Sequence, residues 1–313
     1  MKISEETKMK KTLSTIAGLA ALLLAGTAQA EDVAVLTPYI SSVATNEMVE
    51  TFKADAAAKG WSVNVVDTRG DFQQLASRVE DVTNAGVKAI VLVSVDPNQI
   101  ADQVAAAAEK KIPVISLDGA IAPGVLANIT TDNFALGTIL SDYLFKQLGN
   151  KGNIVKFFHS AHPGVRQREL ALDKALAANP DIKVIAEHYV QVPGPIDNAR
   201  LAMETFIRQH GTEINGVWAA WDEPAIGALL AQQSDAPDAK MIIAGIDGNP
   251  QAVELIKQCT NLVATVRQDF PGIAKAAVAE IGNVLDGRPV SKQEIFVDAT
   301  VVDRASLGVT CAQ

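Results

Sequence analysis

The chain has 313 residues, of which 36 are acidic and 27 are basic, and its formal net charge at pH 7 is −9. The lysines and arginines are interleaved with the more numerous acids instead of forming a basic stripe, which excludes nucleic acid as the expected partner. A chain of this length exceeds what one hydrophobic core usually organises, so we expect two domains.

The first 30 residues have the layout of a secretory signal peptide. Lys10 and Lys11 precede an uncharged stretch at 12–24, and an Ala-x-Ala cleavage site follows at 28–30. The apolar stretch is shorter than the roughly 20 residues that a membrane-spanning helix needs. We expect cleavage after Ala30 and export to the periplasm of a Gram-negative cell, with a mature chain that is not membrane-embedded. A retained N-terminal anchor is the alternative.

After Ala30, short β-branched segments alternate with longer Ala-rich segments of helical period, which predicts parallel α/β sheets. Segments that are apolar throughout indicate strands buried on both faces. The predicted strands form a first set at 33–37, 63–66, 89–93, 114–117 and 125–129, and a second set at 154–158, 184–187, 217–220, 241–246 and 262–266.

Polar residues and helix-start signals recur where these strands end. At 96–99 a capping Asp is followed by Pro at the first helical position, and related signals occur at 222–224, 249–250 and 269–271. In an open parallel sheet, ligands bind beyond the carboxyl ends of the strands. Two sheets facing each other at these ends would form a cleft, so the residues at the strand ends are the candidate site.

Two carboxylates leave buried strands at this edge. Asp118 ends the predicted strand 114–117 and Asp247 ends the predicted strand 241–246, and each precedes a glycine. A carboxylate in a partly desolvated cleft accepts hydroxyl hydrogen bonds that are about twice as strong as neutral ones. Ligand binding is one interpretation of this pair; capping of a following turn or helix is the other.

Arg168 and Trp221 are further candidates for the cleft. Arg168 lies at the start of a predicted helix, where its guanidinium would offer a planar fork of donors to ligand oxygens; a solvated surface charge is the alternative, and it is the favoured interpretation for Arg166. Trp221 follows a predicted strand end and could stack on the apolar face of a sugar ring. Trp218 falls on a sheet face and is predicted to lie in the core.

The sequence does not favour an enzyme. His159 and His162 are three residues apart, but no third ligand follows at a recognisable spacing, so we predict no metal site and no cofactor. The chain has no nucleophile elbow, no P-loop and no glycine-rich dinucleotide motif after a strand. Asp222 and Glu223 are adjacent, fall on different faces of a helix start and do not form a paired acid/base site. A secreted hydrolase is the enzymatic alternative.

The two cysteines, Cys259 and Cys311, belong to a chain expected in an oxidising compartment. A disulfide between them is the favoured interpretation, and two free thiols are the alternative. Both have polar neighbours and neither is close in sequence to a histidine, which argues against a metal site.

Seven short segments carry a resemblance to a known family. They are GVKAI at 86–90, IPVISLD at 112–118, TDN at 131–133, RQR at 166–168, WDE at 221–223, GIDG at 245–248 and ATVRQ at 264–268. In this order and spacing they are typical of periplasmic sugar-binding proteins of the ribose-binding, type I class, the solute receptors of ABC importers. The chain resembles this family over nearly all of its length after residue 30.

The resemblance implies the type I periplasmic binding protein fold, in which two Rossmann-like α/β lobes are joined by three hinge strands. Residues 31–132 with 269–297 would form the first lobe, and residues 133–268 with 298–313 the second. The crossings between the lobes would fall near Asp132, Gln268 and Val297.

The resemblance also implies roles for single residues. Cys259 and Cys311 would lie in the same lobe, which favours the disulfide. Trp221 stands where ribose binders carry Asn. Together with the first loop, the matching positions give the expected ligand contacts, namely Tyr39, Ser42, Asp118, Arg168, Trp221, Asp247 and Gln268.

Two departures from ribose binders bear on the ligand. The first loop carries Ser42, Ala44 and Thr45 where ribose binders have an Asn and a pair of Phe, which leaves Tyr39 as the nearby aromatic. Gly119 replaces an Arg that often follows the strand-end Asp. Since two acids and one arginine do not suit an anion, we expect a neutral monosaccharide or polyol other than ribose.

The implied function is that of a monomeric receptor, which closes on its ligand and presents it to the permease of an ABC importer. A signal receptor of the same fold, for an autoinducer or for chemotaxis, is the alternative. The ligand-sensing domain of a LacI-type repressor is disfavoured because the predicted signal peptide occupies the place of a helix-turn-helix.

Overall fold

Residues 32–311 are described by the computed structural model, and they form two α/β lobes, each built on a six-stranded sheet. All strands of the first sheet run parallel, and the second sheet has one antiparallel edge strand. The fold class predicted from the alternation of strands and helices is therefore confirmed.

The sheet of the first lobe contains β1 (Val33–Thr37), β2 (Val63–Asp67), β3 (Ala89–Val93), β4 (Val114–Leu117), β5 (Val125–Thr130) and β11 (Glu294–Phe296). Their spatial order is β2-β1-β3-β4-β5-β11. Every residue of β1, β3 and β4 is buried, as their uninterrupted apolar character predicts for strands covered on both faces.

The sheet of the second lobe contains β6 (Gly152–Phe158), β7 (Ile182–Tyr189), β8 (Ile214–Ala219), β9 (Ile242–Asp247), β10 (Leu262–Gln268) and β12 (Ala299–Asp303). Their order is β7-β6-β8-β9-β10-β12, with β12 antiparallel to β10. Trp218 in β8 is fully buried in the core of this lobe, as predicted.

The helices are α1 (Val43–Ala58), α2 (Phe72–Ala85), α3 (Ala101–Glu109), α4 (Asn133–Gln147), α5 (Pro163–Ala178), α6 (Pro195–His210), α7 (Asp222–Asp235), α8 (Pro250–Lys257) and α9 (Phe270–Leu285). Several begin at the predicted signals: Asn249 caps α8 and Asp269 caps α9 by accepting a backbone N–H two or three residues ahead. Asp96 caps the short 3₁₀ helix Pro97–Ile100 that precedes α3.

The ten predicted strands are all present, but two further strands were missed. β11 and β12 are edge strands near the carboxyl terminus, and their residues are only partly buried. The chain passes from the first sheet to the second after β5. It returns to the first sheet between β10 and β11, and it crosses to the second sheet again between β11 and β12. The residue limits proposed for the two lobes remain a prediction.

The predicted signal peptide, residues 1–30, lies outside the described residues. Among residues 32–311, no helix combines the length and the apolarity that crossing a membrane requires.

Candidate functional site

A cavity of about 500 Å³, including its opening to solvent, lies between the carboxyl ends of the two sheets. Six of the seven predicted ligand contacts line it. The first lobe contributes Tyr39, Ser42 and Asp118, and the second contributes Arg168, Trp221 and Asp247. The seventh, Gln268, ends β10 and reaches the cavity through Asp247, to whose Oδ1 it donates a hydrogen bond of 2.8 Å.

Asp118 is a buried carboxylate at the end of β4, held in the left-handed region with φ of 46°. Its Oδ1 accepts a hydrogen bond from the hydroxyl of Thr130 at 3.0 Å. Burial alone would raise the pKa of Asp118. The charge and hydrogen bond of His162, the charge of Arg168 and the hydrogen bond of Thr130 together outweigh burial, so the pKa of Asp118 is lowered. Asp118 is therefore an ionised acceptor at neutral pH.

The residue after Asp118 must be small for a steric reason. A Cβ on Gly119 would lie 2.1 Å from Oγ of Ser116 and 2.5 Å from the carbonyl oxygen of Val95. The backbone N–H of Gly119 also donates to Oδ1 of Asn128 at 3.2 Å. The packing of β4 and its neighbours thus requires glycine at the position where ribose binders often carry arginine.

Asp247 faces the same cavity from the second lobe. It is the last residue of β9, has φ of 126° and is buried. Its Oδ1 lies 3.7 Å from Nη1 of Arg168. Burial raises its pKa well above the ordinary value; Arg168 counteracts this shift, and the nearby carboxylates Asp222 and Glu223 reinforce it. The ionised form of Asp247 therefore costs free energy that donors from a ligand would offset.

Arg168 is almost fully buried and is fixed by the second lobe. Its Nε donates to Oδ1 of Asn133 at 2.8 Å, and its Nη1 donates to the carbonyl oxygen of Ala220 at 2.6 Å. A Cβ on Gly137 would lie 2.6 Å from Cα of Arg168, so a glycine in α4 is what lets α5 approach and set the guanidinium at the cavity.

The hydrogen bonds at the site test the capping interpretation of the strand-end aspartates. Asp118 accepts from Thr130, and Asp247 accepts from Gln268. The helix after Asp247 is capped by Asn249, whose side chain accepts the N–H of Gln251. The capping interpretation is therefore wrong for the helix that follows Asp247, and the carboxylates are directed to the cavity.

Asp222 and Glu223 point to different partners, as predicted for adjacent residues of a helix start. Oδ2 of Asp222 accepts from the hydroxyl of Thr265 at 3.0 Å and from the backbone N–H of Asn249 at 2.8 Å, inside the second lobe. Burial raises the pKa of Asp222 to about 8, against the effect of these bonds. Glu223 instead reaches the first lobe, where it accepts from Ser42 and Val43.

Two histidines that we considered only as metal ligands belong to the cavity wall. Nε2 of His159 lies 3.1 Å from the hydroxyl of Tyr39, and the rings of His159 and Trp221 pack edge to face. Burial lowers the pKa of His159 to about 4, so this imidazole is neutral. His162 lies 3.5 Å from Oδ2 of Asp118. In residues 32–311 no three potential ligand side chains are grouped as a metal site.

Other residues of the wall were not predicted. Thr45 and Ser94 share a hydrogen bond of 3.0 Å between their hydroxyls in the first lobe, and Val192 and Pro195 add apolar surface from the second. Arg166, expected as a solvated charge, lies outside this wall, is partly exposed and pairs with Asp96 of the first lobe at 2.5 Å. No local sequence pattern marks such residues, because their contacts depend on how the folded lobes are arranged.

The predicted pair Cys259 and Cys311 is joined in the structure, with the two Cα atoms 5.7 Å apart. Cys259 follows α8, and Cys311 lies in the tail after β12, so the bond links this tail to the second lobe.

Two α/β lobes with a partly polar cavity between the ends of their strands define a class of small-molecule receptors. A family model for a periplasmic binding protein domain matches residues 33–289. The chain belongs to the periplasmic binding protein family, and the predicted family is confirmed.

Individual relatives agree with this assignment. The xylitol-binding protein of Mycolicibacterium smegmatis is 30% identical over 247 residues, which cover 78% of this chain and 70% of the relative. The ribose import binding protein of Haemophilus influenzae is 29% identical over 303 residues, covering 94% and 99%. An ABC transporter solute-binding protein from Agrobacterium vitis, solved with bound allitol, has the same fold, with a TM-score of 0.83 at 21% identity over 89% of this chain and 97% of that one.

Proposed function

We propose that this protein is the substrate-binding protein of an ABC importer and binds a neutral monosaccharide or polyol in the cavity between the lobes. The observation that carries the proposal is the pairing of acceptors across the cavity, with Asp118 on the first lobe and Asp247, beside Arg168, on the second. Hydroxyl groups both donate and accept hydrogen bonds, so a polyhydroxylated ligand can serve the carboxylates and the guanidinium together.

The charge and shape of the cavity support a neutral ligand. Asp118 and Asp247 face a single buried arginine, an arrangement that repels an anion. Trp221, Val165 and Pro195 offer apolar surface to the carbon skeleton. The relatives named for xylitol and for ribose support a ligand of this kind.

The proposed transport role includes export and delivery. The signal peptide would be removed after Ala30, and the mature monomer would act in the periplasm without a cofactor. A ligand that contacts both lobes favours the closed arrangement only to the extent that it binds that arrangement better than the open one. The closed protein would then be recognised by the permease.

A thermal-shift screen of the mature, ligand-stripped protein tests the proposal. The panel pairs each pentose and hexose with its sugar alcohol and adds sugar phosphates, amino sugars, nucleosides and organic acids. A ligand at 100 times its dissociation constant adds about 2.7 kcal/mol to the free energy of unfolding, which a melting curve detects readily. Shifts confined to neutral sugars or polyols support the proposal, and shifts confined to anions or nucleosides contradict it.

A further inference from the structure

Glu223 bridges the two lobes by a buried contact between protein groups. It is the second residue of α7 in the second lobe and is only 3% exposed. Its Oε1 accepts the hydroxyl of Ser42 and the backbone N–H of Val43, both at 3.0 Å, and these donors belong to the first lobe. Because both donors and the acceptor are protein groups, the contact depends on how the lobes meet.

The contact completes a helix cap. Val43 is the first residue of α1, and Ser42 holds the N-cap position with extended backbone angles. Among the described residues, the Ser42 side chain accepts no N–H of α1. Its hydroxyl donates to Glu223 instead. A carboxylate at a helix N-terminus satisfies an orphan N–H and interacts favourably with the helix dipole. Here the other lobe supplies that carboxylate.

The other bridges between the lobes differ from this one. Tyr39–His159 and Asp118–His162 line the cavity on both sides, where a ligand would compete for the same groups, and Arg166 of the Asp96 pair is partly exposed. In the Glu223 contact, Ser42 lines the cavity, whereas Val43 and Glu223 do not. Glu223 lies outside the cavity lining, behind Ser42.

We propose that Glu223 is a positioning residue, which holds the lobes closed by capping α1 across the cleft and thereby sets the lifetime of the bound ligand without touching it. The part of this proposal that concerns ligand lifetime rests on the proposed function. The part that concerns lobe closure is measured by scattering and needs no ligand.

Two variants weaken the contact from opposite sides. Glu223→Gln removes the charge of the acceptor, and Val43→Pro removes the N–H donor. Proline is favoured at the first position of a helix, and Ser42 already has the extended conformation, with φ of −76° and ψ of 136°, that a residue before proline adopts. The matched control is Glu280→Gln, because Glu280 is also buried and accepts a Ser hydroxyl and a backbone N–H, both from Ser291. Both Glu280 and Ser291 lie in the first lobe by the proposed boundaries.

Small-angle scattering of the ligand-free mature protein and stopped-flow dissociation of xylitol and of D-ribose give the readouts. We expect either variant to enlarge the radius of gyration and to raise the dissociation rate of a bound probe about tenfold, the effect of losing a charged hydrogen bond. The effect of the double variant should be smaller than the sum of the two single effects, since both variants act on the bonds to the same oxygen, Oε1 of Glu223. Glu280→Gln should match the wild type in both readouts.

Equal scattering and equal dissociation rates for Glu223→Gln, Val43→Pro and Glu280→Gln would overturn the inference, as would additive effects in the double variant. If neither probe binds the wild type, these two probes fail to support the proposed function, and the scattering comparison alone decides the role of Glu223. If Glu223→Gln does not fold, Val43→Pro, which changes an exposed side chain, provides the test.

Discussion

Nε2 of His162, at the N-cap of α5 in the second lobe, lies 3.5 Å from Oδ2 of Asp118, at the end of β4 in the first lobe. The pair joins the lobes at the cavity itself. A ligand hydroxyl that binds Asp118 must share this carboxylate with His162 or replace it there. Under the proposed function, the affinity for a ligand would depend on how well its hydroxyl groups hydrogen-bond to a carboxylate that already has a partner.

Asp118→Asn should weaken ligand binding by about 10- to 150-fold, because a hydrogen bond to a charged group contributes about 1.5–3 kcal/mol. Isothermal titration with the best ligand of the screen measures the change. Asp71→Asn is the control, since Asp71 caps α2 in the same lobe, away from the cavity. Wild-type affinity in Asp118→Asn would show that Asp118 does not contribute to ligand binding.

Trp221→Leu should weaken binding by about 2- to 10-fold through loss of aromatic contact. Trp218→Leu is the matched substitution. It removes a fully buried ring and its hydrogen bond to Ser141, so it should lower the free energy of unfolding by about 3 kcal/mol and leave affinity unchanged at temperatures where the protein is folded. If the two variants exchanged these phenotypes, the assignment of the tryptophans would be wrong.

The stability of the ligand-free protein should decrease as the pH rises from 7 to 9. Burial raises the pKa of Asp222 to about 8, so below that pH the native state holds a proton that the unfolded chain, with its ordinary pKa of 3.8, has already released. Raising the pH removes this proton and costs the native state about 1.4 kcal/mol over the two units. Melting temperatures at several pH values measure the effect.

Asp222→Asn should flatten this dependence between pH 7 and pH 9. Parallel curves for the wild type and Asp222→Asn would show that Asp222 does not hold the proton.

Gly119→Ala should destabilise the protein by about 1–3 kcal/mol, because its Cβ would overlap Ser116 and Val95. Urea unfolding measures the loss. Gly282→Ala is the control: this glycine lies inside α9, its Cβ would meet Trp61 at an ordinary 3.7 Å, and alanine there should be neutral or stabilising. An undiminished stability of Gly119→Ala would mean that packing does not exclude a side chain at this position.

The sequence was informative where local chemistry determines the structure. Apolar β-branched segments such as 89–93 specify buried parallel strands, and Asp or Asn before Pro or a helical segment specifies helix starts. β11 and β12 were missed because they are edge strands that are only partly buried, and their pairing depends on where the chain crosses between the lobes.

The site was predictable as far as each lobe alone defines it. Asp118, Asp247 and Trp221 lie at the ends of strands, and Arg168 lies in the second turn of α5, so their positions follow from the topology. The contacts of Glu223 with Ser42 and Val43 depend on how two separate lobes meet, and residues 181 and 180 positions apart in the chain carry no local sign of that meeting. His159 and His162 were judged by metal-ligand spacing, which says nothing about an imidazole that contacts a residue of the opposite lobe.

A crystal structure of the mature protein with the best ligand of the screen tests the central claim most directly. We predict one neutral sugar or polyol in the cavity between the lobes, with hydroxyl oxygens within hydrogen-bond distance of both Asp118 and Asp247 and its carbon skeleton against Trp221. A ligand bound elsewhere, or one that contacts neither carboxylate, would contradict the account.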